Sequence, residues 1–119
     1  MNPRVFVVQD QPSMNISPAL EYGEIVMMLD PGDHAFNPTR MINALRTIVE
    51  ERNFEVSDYL LLIGDPVAIG CAMAITDQWL QANWDQPIDE GSAGPKLKVL
   101  KWDRQNRRYL PIELGLASE

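Results

Sequence analysis

The residues that most restrict what this chain can fold into are Asp58-Tyr-Leu-Leu-Leu-Ile-Gly64-Asp65-Pro66, followed without a spacer by Val67-Ala-Ile-Gly70-Cys71-Ala-Met-Ala-Ile75. Tyr59 to Ile63 is apolar at every position rather than at alternate ones, the pattern of a strand covered on both faces. Gly64 lets the backbone turn at once, Asp65 can accept the free amides of the next turn, and Pro66 suits a first helical position because its missing N–H is not needed there. A central strand feeding straight into a helix is expected. Val67 to Ile75 carries no charge on any face, so the helix should be buried nearly all round or cover a neighbouring copy.

The rest of the chain supplies partners for that unit. Arg4-Val-Phe-Val-Val-Gln9 reads as a second central strand, placed beside the Tyr59 strand. Asp10 to Gly23, with Pro12, Ser13, Asn15, Ser17 and Pro18, reads as a long connection with a short helical turn from Pro18 to Tyr22; it is either a binding loop or a crossover. Glu24 to Asp30 is the next strand, closed by Asp30-Pro31-Gly32-Asp33, and the only histidine, His34, is expected as a solvated loop residue. Asn37-Pro38 opens a helix whose Met41, Ile42, Leu45, Ile48 and Val49 form one apolar face, with Asn53 a residue suited to its end.

Residues 85–95 lose all periodicity and read as a mobile acidic loop. Residues 96–114 read as a basic hairpin turning around Asp103 to Arg107, with a bulge where the alternation slips between Val99 and Leu100. Pro111 cannot donate to a ladder, so the last strand should lie at an edge. The expectation is a single α/β domain over residues 1–119: a mixed sheet of about five strands, two main helices and a C-terminal β-hairpin.

Charge is distributed unevenly. Residues 1–95 hold four basic side chains against fourteen acidic ones, whereas residues 96–110 hold six basic ones against Asp103 alone. An acidic body opposes nucleic acid and favours basic partners, while the hairpin does the reverse locally. The single Cys71, in the most apolar part of the chain, reads as a buried thiol in a reducing compartment, and no apolar run is long enough to span a membrane. A bacterial or host cytosol is the expected compartment.

Three strands end in an aspartate closely followed by proline: Asp10, Asp30 and Asp65. If the strands are parallel, these carboxylates with Gly64 could form a ligand site at one sheet end, holding Mg²⁺ and a nucleotide or phosphate. The plainer reading is ordinary turn and cap chemistry, since no phosphate-binding Lys, Ser or Thr follows Gly64. The hairpin's Lys98, Lys101, Trp102, Arg104, Arg107, Arg108 and Tyr109 could dock a partner, or serve only to guard an exposed edge. Gly70, Met73, Ala74 and Trp79 would lie at the contact if the apolar helix self-associates into a homo-oligomer.

The segments Val5-Phe-Val-Val-Gln-Asp-Gln-Pro12, Leu62-Ile-Gly-Asp-Pro-Val-Ala-Ile-Gly70, Lys101-Trp-Asp-Arg104 and Arg108-Tyr-Leu-Pro-Ile112 resemble a family of small proteins encoded by tailed bacteriophages that has no assigned activity. The resemblance implies a phage accessory protein, acting without catalysis by binding a host or phage macromolecule in host takeover or anti-defence. No catalytic residue, metal ligand or cofactor is assigned. The competing reading is the nucleotide-binding or Mg²⁺-dependent enzyme with its site at the strand ends.

Overall fold

A computed structural model describes residues 2–31, 37–85 and 94–116. His34, with Asp33, and most of the 85–95 loop lie outside the described residues. Strands β1 (Arg4–Gln9), β2 (Glu24–Leu29), β3 (Tyr59–Leu61), β4 (Leu97–Asp103) and β5 (Arg108–Leu114) and helices α1 (Pro38–Arg52) and α2 (Pro66–Ala82) form a single compact α/β domain. The sheet order is β2-β1-β3-β4-β5. The first four strands are parallel, and β5 returns antiparallel to β4 as the C-terminal hairpin.

Both helices cover one face of the sheet. Phe6, Val8, Val26, Leu60, Leu97 and Val99 point there and pack on Met41, Leu45 and Val49 of α1 and Ala68, Ala72, Ile75 and Leu80 of α2. The other face, with Val5, Val7, Leu61, Leu100 and Tyr109, is roofed by the β1–β2 connection, where a 3₁₀ turn (Ser17–Tyr22) buries Ala19. That long loop is therefore a crossover with a packing task. Its direction explains its side: β1 connects outward to β2, β2 connects back across β1 to β3, and right-handed connections running opposite ways fall on opposite faces.

The caps are those the sequence implies. Asn37 Oδ1 accepts the Arg40 amide at 3.0 Å, and Asn53 ends α1 in the left-handed region at φ 50°. Asp65 Oδ2 accepts the amides of Val67 and Ala68 at 3.0 and 3.2 Å.

Three expectations need correction. Regular strand β3 ends at Leu61 rather than Ile63, because Ile63 N–H turns back to the Leu61 carbonyl at 3.0 Å, while single bonds to β4 and β1 persist at Leu62 and Ile63. Helix α2 is not buried all round: Val67, Gly70, Ala74 and Gln78 form an exposed stripe at helical spacing, because α1 and the sheet cover only its opposite side. No bulge occurs in β4, whose pairing with β5 is continuous from Leu97↔Leu114 to Asp103↔Arg108. Val99 and Leu100 are both buried because both faces are covered there, so the apolar doublet reflects two cores and not a slip of register.

Pro111 lies on the edge strand, opposite Leu100. The Leu100 carbonyl accepts Leu62 N–H, so Leu100 turns its backbone toward β3 and Pro111 correspondingly turns its own away from β4. Its missing N–H removes no ladder bond and leaves one donor fewer on the open edge.

Candidate functional site

In open α/β sheets, ligands bind outside the strand C-termini where successive connections diverge, which here is the crevice between β1 and β3. The four residues marked from sequence lie around this end: Asp10 after β1, Asp30 after β2, and Gly64 and Asp65 after β3. Gln9, which sequence reasoning passed over, occupies the crevice. It is 5% exposed; its Oε1 accepts Asp65 N–H at 2.9 Å and its Nε2 donates to the Asp30 carbonyl at 3.1 Å. Gly64, at φ 127°, lies so close beneath that a Cβ there would come within 2.6 Å of Gln9 Cβ. The one signal was a polar residue closing an otherwise apolar run.

The start of α2 has no amide to offer an anion. Pro66 has no N–H, Val67 and Ala68 donate to the Asp65 carboxylate, and Ile69 donates to the Asp65 carbonyl. Asp65 thus holds the positive end of the helix that a phosphate would need. Among the described residues, no three His, Cys, Asp or Glu side chains come together in a way that could hold a metal ion. This end of the sheet is built to staple β1, β2 and β3 together.

The basic hairpin is organised for display. Because β4 runs parallel to β1 and β3, its turn emerges at the same end of the sheet as Asp10, Asp30 and Asp65. Asp103 shapes that turn by accepting Gln105 N–H at 3.1 Å and Asn106 Nδ2 at 2.6 Å, and these bonds, led by the one from Asn106, hold its carboxyl below the usual range. Arg107 takes a left-handed conformation at φ 51° to close the loop. Lys101, Arg104, Arg107 and Arg108 are exposed, and Lys98, half-buried, lies 5.3 Å over the Tyr59 ring. Trp102 is half-exposed and packed edge-on against Tyr109 at 4.9 Å. Tyr109 itself is 1% exposed, so it supports Trp102 from inside the core and offers no face to a partner.

The Tyr109 hydroxyl is buried with no hydrogen-bond partner among the described residues, although its backbone carbonyl accepts the Tyr22 hydroxyl at 2.8 Å. A buried unpaired hydroxyl costs about 1–3 kcal/mol, so Tyr109→Phe should stabilise the protein by about 1 kcal/mol in a denaturation curve. Burial also raises the pKa of both Tyr109 and Tyr22, with the negative charge of Glu21 contributing at Tyr22. Both folded-state values lie above the unfolded one, so this stability is present in full below about pH 10 and is lost as pH rises from there. The Phe variant should lose less stability than the parent between neutral pH and pH 11.

On α2, Gly70 and Ala74 lie on the exposed stripe, and a Cβ at Gly70 would meet nothing within 4 Å. Met73 and Trp79 face inward, packed at the margin of the core, where Trp79 Nε1 donates to the Phe54 carbonyl at 3.0 Å. Among the described residues, no helix is long and apolar enough to cross a membrane.

A family model described as Phage Pam3 gp32-like protein matches residues 3–86. That span holds β1 to β3 and both helices and stops short of the hairpin. No curated protein and no solved structure matches the chain.

Proposed function

This chain belongs to the Phage Pam3 gp32-like protein family, a phage family of unknown function, and from that premise we propose that it is a non-catalytic accessory protein that docks its C-terminal hairpin on an acidic surface of a host or phage protein. A host protein met in the bacterial cytoplasm is the target this reading favours, in host takeover or anti-defence. One observation carries it: the crevice where an α/β domain would bind a small ligand is filled by Gln9 and capped by Asp65, while four cations stand in solvent on a hairpin tied by Asp103.

The neighbouring charges favour a protein over nucleic acid. Asp10, Asp30 and Asp65 share the sheet end from which the hairpin emerges, and the body beyond is acidic. An extended polyphosphate laid on the hairpin would run along the sheet end that carries those carboxylates and be repelled by them, whereas their reach is limited to roughly a Debye length, about 8 Å. A compact acidic patch on a protein meets only the hairpin. Titration of labelled single- and double-stranded DNA and RNA should give no micromolar binding at physiological salt. Micromolar binding whose affinity falls steeply with salt, by about 0.7–0.9 log units per phosphate contact, would overturn the choice of partner.

A further inference from the structure

The two edges of the sheet are finished differently. Outside β5, Pro111 lacks its N–H and the Tyr109 carbonyl is held by Tyr22. Outside β2, alternate residues turn their backbone N–H and C=O groups away from β1, and no described strand pairs with them. This edge has no proline, no lysine and no bulge among its six residues, and Met27 is 37% exposed on it. Open edges of this kind recruit another strand unless they are guarded.

We propose that the β2 edge pairs with the β2 edge of a second copy, antiparallel across a two-fold axis at Val26, to give one continuous ten-stranded sheet. Charge disfavours the register centred on the next residue. With the axis at Val26, Glu24 faces Met28 of the other copy and Ile25 faces Met27; with the axis at Met27, Glu24 would face Asp30, a like-charge pair.

Helix α1 supplies the second complementarity. Its Arg46 and Glu50 line the groove against α2, so the opposite side, at 100° per residue, overhangs the β2 edge. That side carries Ala44 and Ile48, both half-buried, flanked by exposed Arg40 toward the start and Glu51 toward the end. Two such helices related by the same axis run antiparallel. Each Arg40 then meets a Glu51 of the other copy around an apolar centre.

Light scattering should give twice the 13.5 kDa chain mass at micromolar concentration. Arg40→Glu and Glu51→Arg should each shift the protein to monomer, and the double exchange should restore the dimer. Both single changes favour the helix dipole, a negative charge near the N-terminus and a positive one near the C-terminus, so loss of the dimer would not reflect a weakened helix. In a Cys71→Ala background, mixed Ile25→Cys and Met27→Cys proteins should cross-link on oxidation while neither does so alone, since paired Cα atoms lie about 4.5–5.5 Å apart. A monomer at 100 μM, or a dimer that survives both α1 changes and falls apart on Gly70→Lys, would overturn the proposal.

Discussion

Replacing Asp58 by Ala is expected to lower the unfolding free energy by about 3–5 kcal/mol, because it breaks a largely buried ion pair and leaves two backbone amides without their acceptor. Asp58 is 1% exposed and accepts Arg4 N–H at 2.9 Å, Arg4 Nε at 3.2 Å, Arg4 Nη2 at 2.7 Å and Glu55 N–H at 2.7 Å. The same guanidinium donates to the Arg52 and Asn53 carbonyls at 2.7 and 3.0 Å, the negative end of α1, and lies 5.0 Å over the Phe6 ring. One carboxylate therefore ties the start of β1, the end of α1 and the entry to β3. The hydrogen bond and charge of Asp58 raise the pKa of Arg4 despite its partial burial. For a domain stabilised by 5–15 kcal/mol in total, this loss is a substantial fraction. Urea denaturation measures it. Asp58→Asn, which keeps an acceptor of similar shape, should cost less, and a loss under about 1 kcal/mol for the Ala variant would contradict the account of this corner.

Gly23→Ala is the second large effect expected, by strain rather than by lost bonds. Gly23 sits at φ 152°, and a Cβ there would come within 2.2 Å of the Pro3 carbonyl oxygen and 2.7 Å of its carbon. Those are backbone atoms at the entry to β1, so no side-chain rotation relieves the clash, and the β1–β2 register starting at Arg4↔Glu24 must shift. A cost of about 2–4 kcal/mol follows from overpacking added to a backbone conformation that L residues rarely adopt. Gly70→Ala is the control: its Cβ meets nothing within 4 Å, and alanine favours helix by nearly 1 kcal/mol. Thermal denaturation should therefore lower the midpoint for the first and raise it for the second.

Much of this architecture was legible because it is local. The Gly64-Asp65-Pro66 turn, the Asn37 cap, the left-handed Asn53 and the edge placement of Pro111 each follow from the chemistry of a few neighbouring residues. The long-range features were not. Arg4 and Asp58 are 54 positions apart, and nothing at either position names the other. Gln9 reads as the polar end of a strand until the fold brings Asp65 and Asp30 to its two ends. Helix α2 read as apolar all round because alanine and glycine count as apolar, yet they expose so little surface that one face can stay in water. Tyr109 read as a surface aromatic among cations, and only the roof supplied by the β1–β2 connection makes it core.

The claim that the hairpin is the docking surface is tested most directly by parallel capture from nuclease-treated host lysate with the tagged parent chain and with a Lys101→Glu, Arg104→Glu, Arg107→Glu variant. All three residues are exposed, so the variant should fold as the parent does. Charge reversal at a complementary rim should weaken association by about tenfold or more and make the parent's binding salt-sensitive. The account predicts a host or phage protein enriched by the parent and lost by the variant, with capture unaffected by the nuclease. Equal enrichment by both chains, or enrichment that disappears with nuclease treatment, would contradict it.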